Sequence, residues 1–215
     1  MKWLSAGLTF VNLSTIAGLL LGMAGNGLNP RSAILALIVG AIFALAAYLG
    51  TSDTERQRPE NSARKLGSSP ATRYRQLWLW VMAACFALFA LRSFCWLLYI
   101  DGEQLRIQSP NNLGDLALHI TFIRNFANGV ALWPDNPIYV FSKLRYPAGM
   151  DLFNSLLCLV PVDLTRGLVW TGLIASLATF YAFFRWAGTF GVAGFLFNGG
   201  IAGFQLFRTL KFFDY

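Results

Sequence analysis

Hydrophobic runs and polar breaks alternate along this chain on the scale of a membrane rather than of a soluble core. The first apolar run, Met1 to Ala24, carries one charge, Lys2. Gly25-Asn26-Gly27 and a tight turn at Asn29-Pro30 follow, and a second run covers Ala33 to Leu49. A third, Leu77 to Ile100, has Trp78 and Trp80 near one end and Trp96 and Tyr99 near the other, as aromatic residues sit at the two faces of a bilayer. A fourth covers Gly167 to Phe184 and a fifth, glycine-rich, Gly191 to Phe207. Each approaches the length of about twenty residues that crosses the hydrocarbon core. The short apolar piece Leu152 to Val160, ended by Pro161, cannot cross at about 1.5 Å per residue, and predicts a helix lying at the interface. A cleaved signal peptide is the rival reading of the first run, but its length and the span that follows at once favour a retained helix.

The pattern therefore predicts an all-α integral membrane protein of about five transmembrane helices, with a long outer loop carrying juxtamembrane helices between spans three and four. Residues 1–50 form a two-helix hairpin, 51–76 a hydrophilic loop, and 77–215 a membrane core that contains the polar interval 101–151.

Composition agrees. Hydrophobic residues make up 56% of the 215 and charged residues 13%, with a mean hydropathy of +0.52, whereas soluble domains carry about 25% charged residues. The net charge of +7 changes the picture by where it lies. Thr51 to Gln76 holds Arg56, Arg58, Arg64, Lys65, Arg73 and Arg75 against Asp53, Glu55 and Glu60, with a linker-like Gly67-Ser68-Ser69-Pro70. It reads as a flexible loop. Basic loops beside spans stay in the cytoplasm, so the N-terminus is expected there too and 101–151 on the outer side of the cell membrane. Of the aromatic residues only Tyr74 interleaves these charges, which argues against nucleic acid; the lipid bilayer is the expected partner. Cys85, Cys95 and Cys158 lie in apolar sequence without Cys-x-x-Cys spacing, and read as packing residues rather than disulfide or zinc ligands.

Candidate chemistry concentrates in 101–151, which holds the only histidine. Gly114-Asp115 predicts a helix start, capped by Asn111, Asn112 or Asp115, and Gly129 its stop. At about 100° per residue, Asp115 and His119 share an arc with Leu116, Leu118, Ile120, Phe122, Ile123, Phe126 and Ala127. Ala117, Thr121, Arg124, Asn125 and Asn128 share the other. An acid and an imidazole one turn apart on the apolar face predict either a cap and a satisfied niche, or a cleft-facing pair in which a partly buried carboxylate acts as general base. As a metal site the pair lacks a third ligand, so no cofactor is expected. Lys143 and Arg145, just before Tyr146-Pro147, place two cations where the phosphate of a lipid-linked donor would bind. Arg92, inside the third run, is either a functional intramembrane charge or a residue reaching for the headgroups.

The order of these features resembles the GT-C class of membrane glycosyltransferases, especially bacterial relatives of the dolichyl-phosphate-mannose protein mannosyltransferases. The resemblance rests on Gly114-Asp115 with His119, Asn128-Gly129, Trp133-Pro134, Lys143-Leu144-Arg145-Tyr146-Pro147, the helix Leu152 to Val160, and Asp163-Leu164-Thr165-Arg166. It implies a sugar transferase of the cell envelope that uses a polyprenyl-phosphate donor. Asp115 then stands at the catalytic acid position, deprotonating the acceptor hydroxyl, with His119 beside it and Lys143, Arg145, Tyr146 and Arg92 on the substrate. The chain departs from the family pattern at Leu116, where many relatives carry a second acid. Two spans precede the usual first one, and fewer spans follow, which implies an N-terminal portion of a longer protein. Two rival readings come from other classes. One is a non-catalytic subunit or scaffold of envelope polysaccharide assembly. The other is a transporter, which the scarcity of proline within spans disfavours.

Overall fold

The computed structural model describes residues 2–51, 70–96, 98–107, 113–137, 139 and 141–197. The elements run α1 (Lys2–Ala24), α2 (Pro30–Gly50), α3 (Pro70–Leu91), a π-helical turn (Arg92–Trp96), β1 (Leu98–Asp101), β2 (Gln104–Ile107), α4 (Leu113–Ala127), α5 (Gly149–Leu159) and α6 (Leu164–Leu196). Four helices, Lys2–Ala24, Pro30–Gly50, Arg73–Cys95 and Leu164–Leu196, are long and apolar enough to cross a membrane. Their outward side chains are large and apolar, among them Leu20, Ile42, Leu88 and Leu177, a surface that suits lipid and not water. The chain divides into two compact units, one of residues 1–55 and 112–168, the other of 56–111 and 169–215.

In the first unit α1 and α2 form the predicted hairpin. Asn29 caps α2: its side chain accepts from the Ser32 amide at 3.0 Å, and the Ser32 hydroxyl accepts from the Asn29 amide at 2.9 Å. Pro30 occupies the first turn, where its missing N–H costs nothing. The two helices come closest where Gly40 of α2 meets Ser14 of α1, and the small residues Gly18 and Gly22 of α1 and Ala33 and Ala36 of α2 are buried as well. Such residues let helix backbones close where lipid removes the hydrophobic drive. A methyl added at Gly40 would strike the Ser14 hydroxyl and, at 2.8 Å, the Phe10 carbonyl.

α4 and α5 complete this unit. α4 ends as its sequence predicts. Gly129, at φ 75°, is followed by the paired bonds Gly129 N–H to Phe126 O and Val130 N–H to Asn125 O, both 3.2 Å, which is the Schellman arrangement. Its buried side is Phe122, Ile123 and Phe126, and its outer side Ala117, Thr121 and Arg124. α5 is too short to span, as predicted, and it packs into the unit: every residue from Asp151 to Leu156 is buried. Leu156 fills the notch over Gly18, 3.0 Å from where a β-carbon would stand, and Phe153 meets Phe10 edge-on with centroids 5.8 Å apart. One hydroxyl joins α5 to α4, Ser155 donating towards Ile123 O at 3.0 Å and its own helix at Asp151 O, 2.6 Å. Asp163 caps α6 by accepting from the Arg166 amide at 3.1 Å.

The second unit revises the third run at both ends. α3 begins at Pro70, inside the expected loop, of which 52–69 lies outside the described residues. The α-helix stops at Leu91, and Leu98–Ile100 belong to a strand instead. A short apolar run has no period of its own that separates strand from helix. Here Asp101-Gly102-Glu103-Gln104 decides, closing a two-residue hairpin with Gly102 at φ 62°, the position that a II′ turn reserves for glycine. Arg106 pairs with Asp101 across it at 2.9 Å. α6 is longer than the fourth predicted span, and its helical geometry breaks at Ala187 and Gly188. Phe195 then lies 5.2 Å from Phe183, centroid to centroid. In a straight helix at 1.5 Å per residue these two would stand about 18 Å apart, so the chain reverses there. The start of the expected fifth span is thus a separate helical piece, and its remainder, 198–207, lies outside the described residues.

Candidate functional site

Among the described residues of the first unit one carboxylate is buried, and it is not the one singled out from sequence. Asp151 opens α5 with its side chain 6% exposed, and both its oxygens face His119 Nδ1, at 2.9 and 3.0 Å. Burial raises the Asp151 carboxyl above the ordinary carboxylate range, while the His119 hydrogen bond and the nearby imidazole pull it back down. α5 contributes the first-turn position, where the helix dipole favours negative charge. α4 contributes the imidazole, on the same side as Phe122 and Phe126.

The other face of the imidazole meets Tyr146. Its hydroxyl stands 3.5 Å from Nε2, and the ring lies 5.6 Å from His119 and 5.6 Å from Phe122, centroid to centroid. Tyr146 is held by a pinned loop. Trp133 Nε1 donates to the Leu144 carbonyl, and the Leu144 amide donates to Pro134 O at 3.0 Å. A lone antiparallel bridge joins Asp135 to Lys143, whose side chains also pair at 2.8 Å. With Leu144 and Ala148 buried in the core of α1, α2, α4 and α5, the loop keeps Tyr146 against the imidazole.

The residues expected to form a site are sorted by this geometry. His119 and Tyr146 come together. Asp115 lies in the first turn of α4, one turn before His119, but exposed and with no hydrogen-bond or ion-pair partner among the described residues, so the partial burial expected of it is absent. Asn111 and Asn112, the other candidate caps, lie outside the described residues. Lys143 is tied to Asp135 in an exposed pair, a contact of small energetic weight. Arg145 is exposed next to Tyr146, and Arg92 is exposed in the π-helical turn of the second unit. Among the described residues no three His, Cys, Asp or Glu side chains gather as metal ligands.

Asp151 is the residue that sequence reasoning missed, where it served only as the end of a polar interval. The available signal was its place inside an apolar helical stretch: an acid directly before Leu152-Phe153 must either face solvent or find a partner. The chain finds no match among protein families, curated proteins or solved structures.

Proposed function

We propose that this protein transfers a sugar from a polyprenyl-phosphate donor to an acceptor hydroxyl at the outer face of the membrane, with α4 as the helix that receives the acceptor. The observation that carries this reading is the fixed arrangement along α4. Asp115 is presented one turn before His119, and His119 is anchored by Asp151 and flanked by Tyr146, in the order that resembles a GT-C outer loop. In the reaction the acceptor oxygen bonds to the anomeric carbon. The bond from that carbon to the phosphate oxygen breaks with its electron pair on the phosphate, and the acceptor proton passes to a base on α4. Arg145 and Tyr146 are the donor-side groups, with Arg145 free to approach a phosphate.

The close approach of Gly27 to the Gly129 carbonyl supports the sidedness. It sets the α1–α2 turn beside the end of α4, and in the proposed topology both lie on the outer side, while α2 leads back to the basic segment assigned to the cytoplasm. The second reading, a non-catalytic envelope subunit, is favoured by the same His119–Asp151 contact taken purely as a tie between α4 and α5. The two are separated by whether the unaltered protein transfers sugar in liposomes supplied with polyprenyl-phosphate sugar and acceptor, and Asp115→Asn tests the place of Asp115 in the site. A transferase loses most of its sugar transfer on this exchange. Undiminished transfer removes Asp115 from the site, and no transfer by the unaltered protein refutes the enzyme reading.

A further inference from the structure

We infer that His119 is the proton acceptor of this site and that Asp151 is the residue that positions it. The inference rests on the reading above for its substrate, but its geometry stands alone. An ionised carboxylate only accepts hydrogen bonds. With both Asp151 oxygens within 3.0 Å of Nδ1, the imidazole proton sits on Nδ1, and the lone pair sits on Nε2. Asp151 has no side-chain partner among the described residues other than His119. Burial makes a carboxylate costly to leave alone, so the imidazole is held in one orientation and one tautomer.

Nε2 faces Tyr146, an exposed residue. The Tyr146 hydroxyl at 3.5 Å is longer than a well-made hydrogen bond to nitrogen, so an acceptor hydroxyl can take its place at Nε2 at little cost. His119 is itself 35% exposed at the side chain, and its Nδ1 edge is the one taken by Asp151. An imidazole nitrogen that keeps its lone pair is a competent general base. Asp115, exposed and unheld, is left to contact the acceptor. During transfer the acceptor proton moves to Nε2 as its oxygen bonds to the anomeric carbon and the phosphate departs with the electron pair of the broken bond. The resulting imidazolium is paired to Asp151 and later returns its proton to water.

The side chains that contact His119 are Asp151 from α5 and Tyr146 from the loop, and the charged residues of α4 itself are Asp115 and Arg124. The charged residues of α1 and α2 are Lys2, over the Tyr48 ring, and Arg31, exposed in the first turn of α2.

His119 is the only histidine in the chain, so nitrogen NMR of the histidine-labelled full chain in lipid nanodiscs reads it without assignment. The expected spectrum shows a single neutral tautomer protonated at Nδ1. Asp151→Asn is expected to mix the tautomers. In transfer assays Asp151→Asn is expected to lower kcat at least tenfold with donor KM little changed. His119→Ala is expected to lose transfer and regain part of it with added imidazole, a rescue that a purely structural role does not allow. An Nε2-protonated tautomer, a tautomer indifferent to Asp151→Asn, or transfer surviving His119→Ala without imidazole overturns the inference. Absence of transfer by the unaltered protein overturns the glycosyltransferase reading instead, and leaves the tautomer measurement to decide the pairing.

Discussion

The two units of this chain pack their helices by different means. The second is held by rings: Phe86 lies 5.3 Å from Phe180 and 5.5 Å from Phe195, with Met82 and Val192 buried beside it, and Ser176 is the buried polar residue among its described positions. The first has apolar contacts too, but Ser14, Asp151, Asn154 and Ser155 are buried among them. In a bilayer an apolar side chain gains little by leaving lipid for protein, so a ring cluster contributes fit and dispersion alone. A buried carboxylate is different in kind, because it has no acceptable position except against its partner. The first unit is therefore fixed around one contact, and that contact is where an imidazole is oriented. The second unit shows no such commitment in its described residues.

The strongest way to break this contrast is to remove the imidazole. His119→Leu leaves Asp151 buried without its partner, and is expected to cost about 3 kcal/mol of unfolding free energy in mixed micelles at neutral pH. The double variant His119→Leu/Asp151→Leu is expected to recover most of it, since it removes the charge as well as the partner. The pH dependence has a definite sign. Burial raises the folded Asp151 carboxyl above its unfolded value, so the folded chain binds that proton more tightly. Stability is then highest below the unfolded carboxylate value, falls as pH climbs through the raised folded value, and levels off above it. His119→Leu removes the two effects that pull the carboxyl down and so extends the fall to higher pH, whereas Asp151→Asn abolishes it. A single variant as stable as the double one, with no such slope, defeats the assignment of this pair as the fixed point of the unit.

How much of this was legible in the sequence follows from the range of each interaction. The α1–α2 hairpin was readable because Asn29 and Pro30 act within one turn of chain. The end of α4 was readable because Gly129 closes it locally. The short helix before Pro161 was readable in length but not in placement, since only the notch at Gly18 shows what Leu156 packs into. The helical arc rightly put Phe122, Ile123 and Phe126 inside, and placed His119 with them. It failed for Asp115, because the first turn of α4 lies exposed although its arc is the apolar one. It was blind to Asp151, whose partner lies 32 residues earlier; no periodicity within either helix encodes a contact between them. The β1–β2 hairpin was missed for the opposite reason, because its apolar residues continued a longer apolar run.

A smaller effect is expected in the second unit. Phe86→Ala opens a cavity among three rings, but the transfer part of the usual cost of losing a buried phenylalanine is absent when lipid replaces water. The expectation is about 2 kcal/mol, at or below the lower end of the range for soluble cores. Phe86→Leu, which keeps most of the volume, is expected to cost less than half of that. Neither change is expected to move the His119 resonance. Should Phe86→Ala destabilise the chain more than His119→Leu, the ranking of ring packing below the buried pair is reversed.

The smallest expected effect sharpens the contrast within the first unit. Asn29 and Ser32 satisfy each other's amides at the start of α2, beside the Gly27 turn that touches the Gly129 carbonyl. Asn29→Ala removes one of the two capping bonds and is expected to cost about 1 kcal/mol, and Asn29→Asp, which still accepts from the Ser32 amide, a few tenths of that. Because the cap acts on the end of α2 and not on the contact between α4 and α5, the His119 tautomer is expected to stay as it is in both variants. A loss from Asn29→Ala as large as that from His119→Leu, accompanied by a shifted imidazole signal, identifies the α1–α2 turn rather than the buried pair as what holds α4 in place.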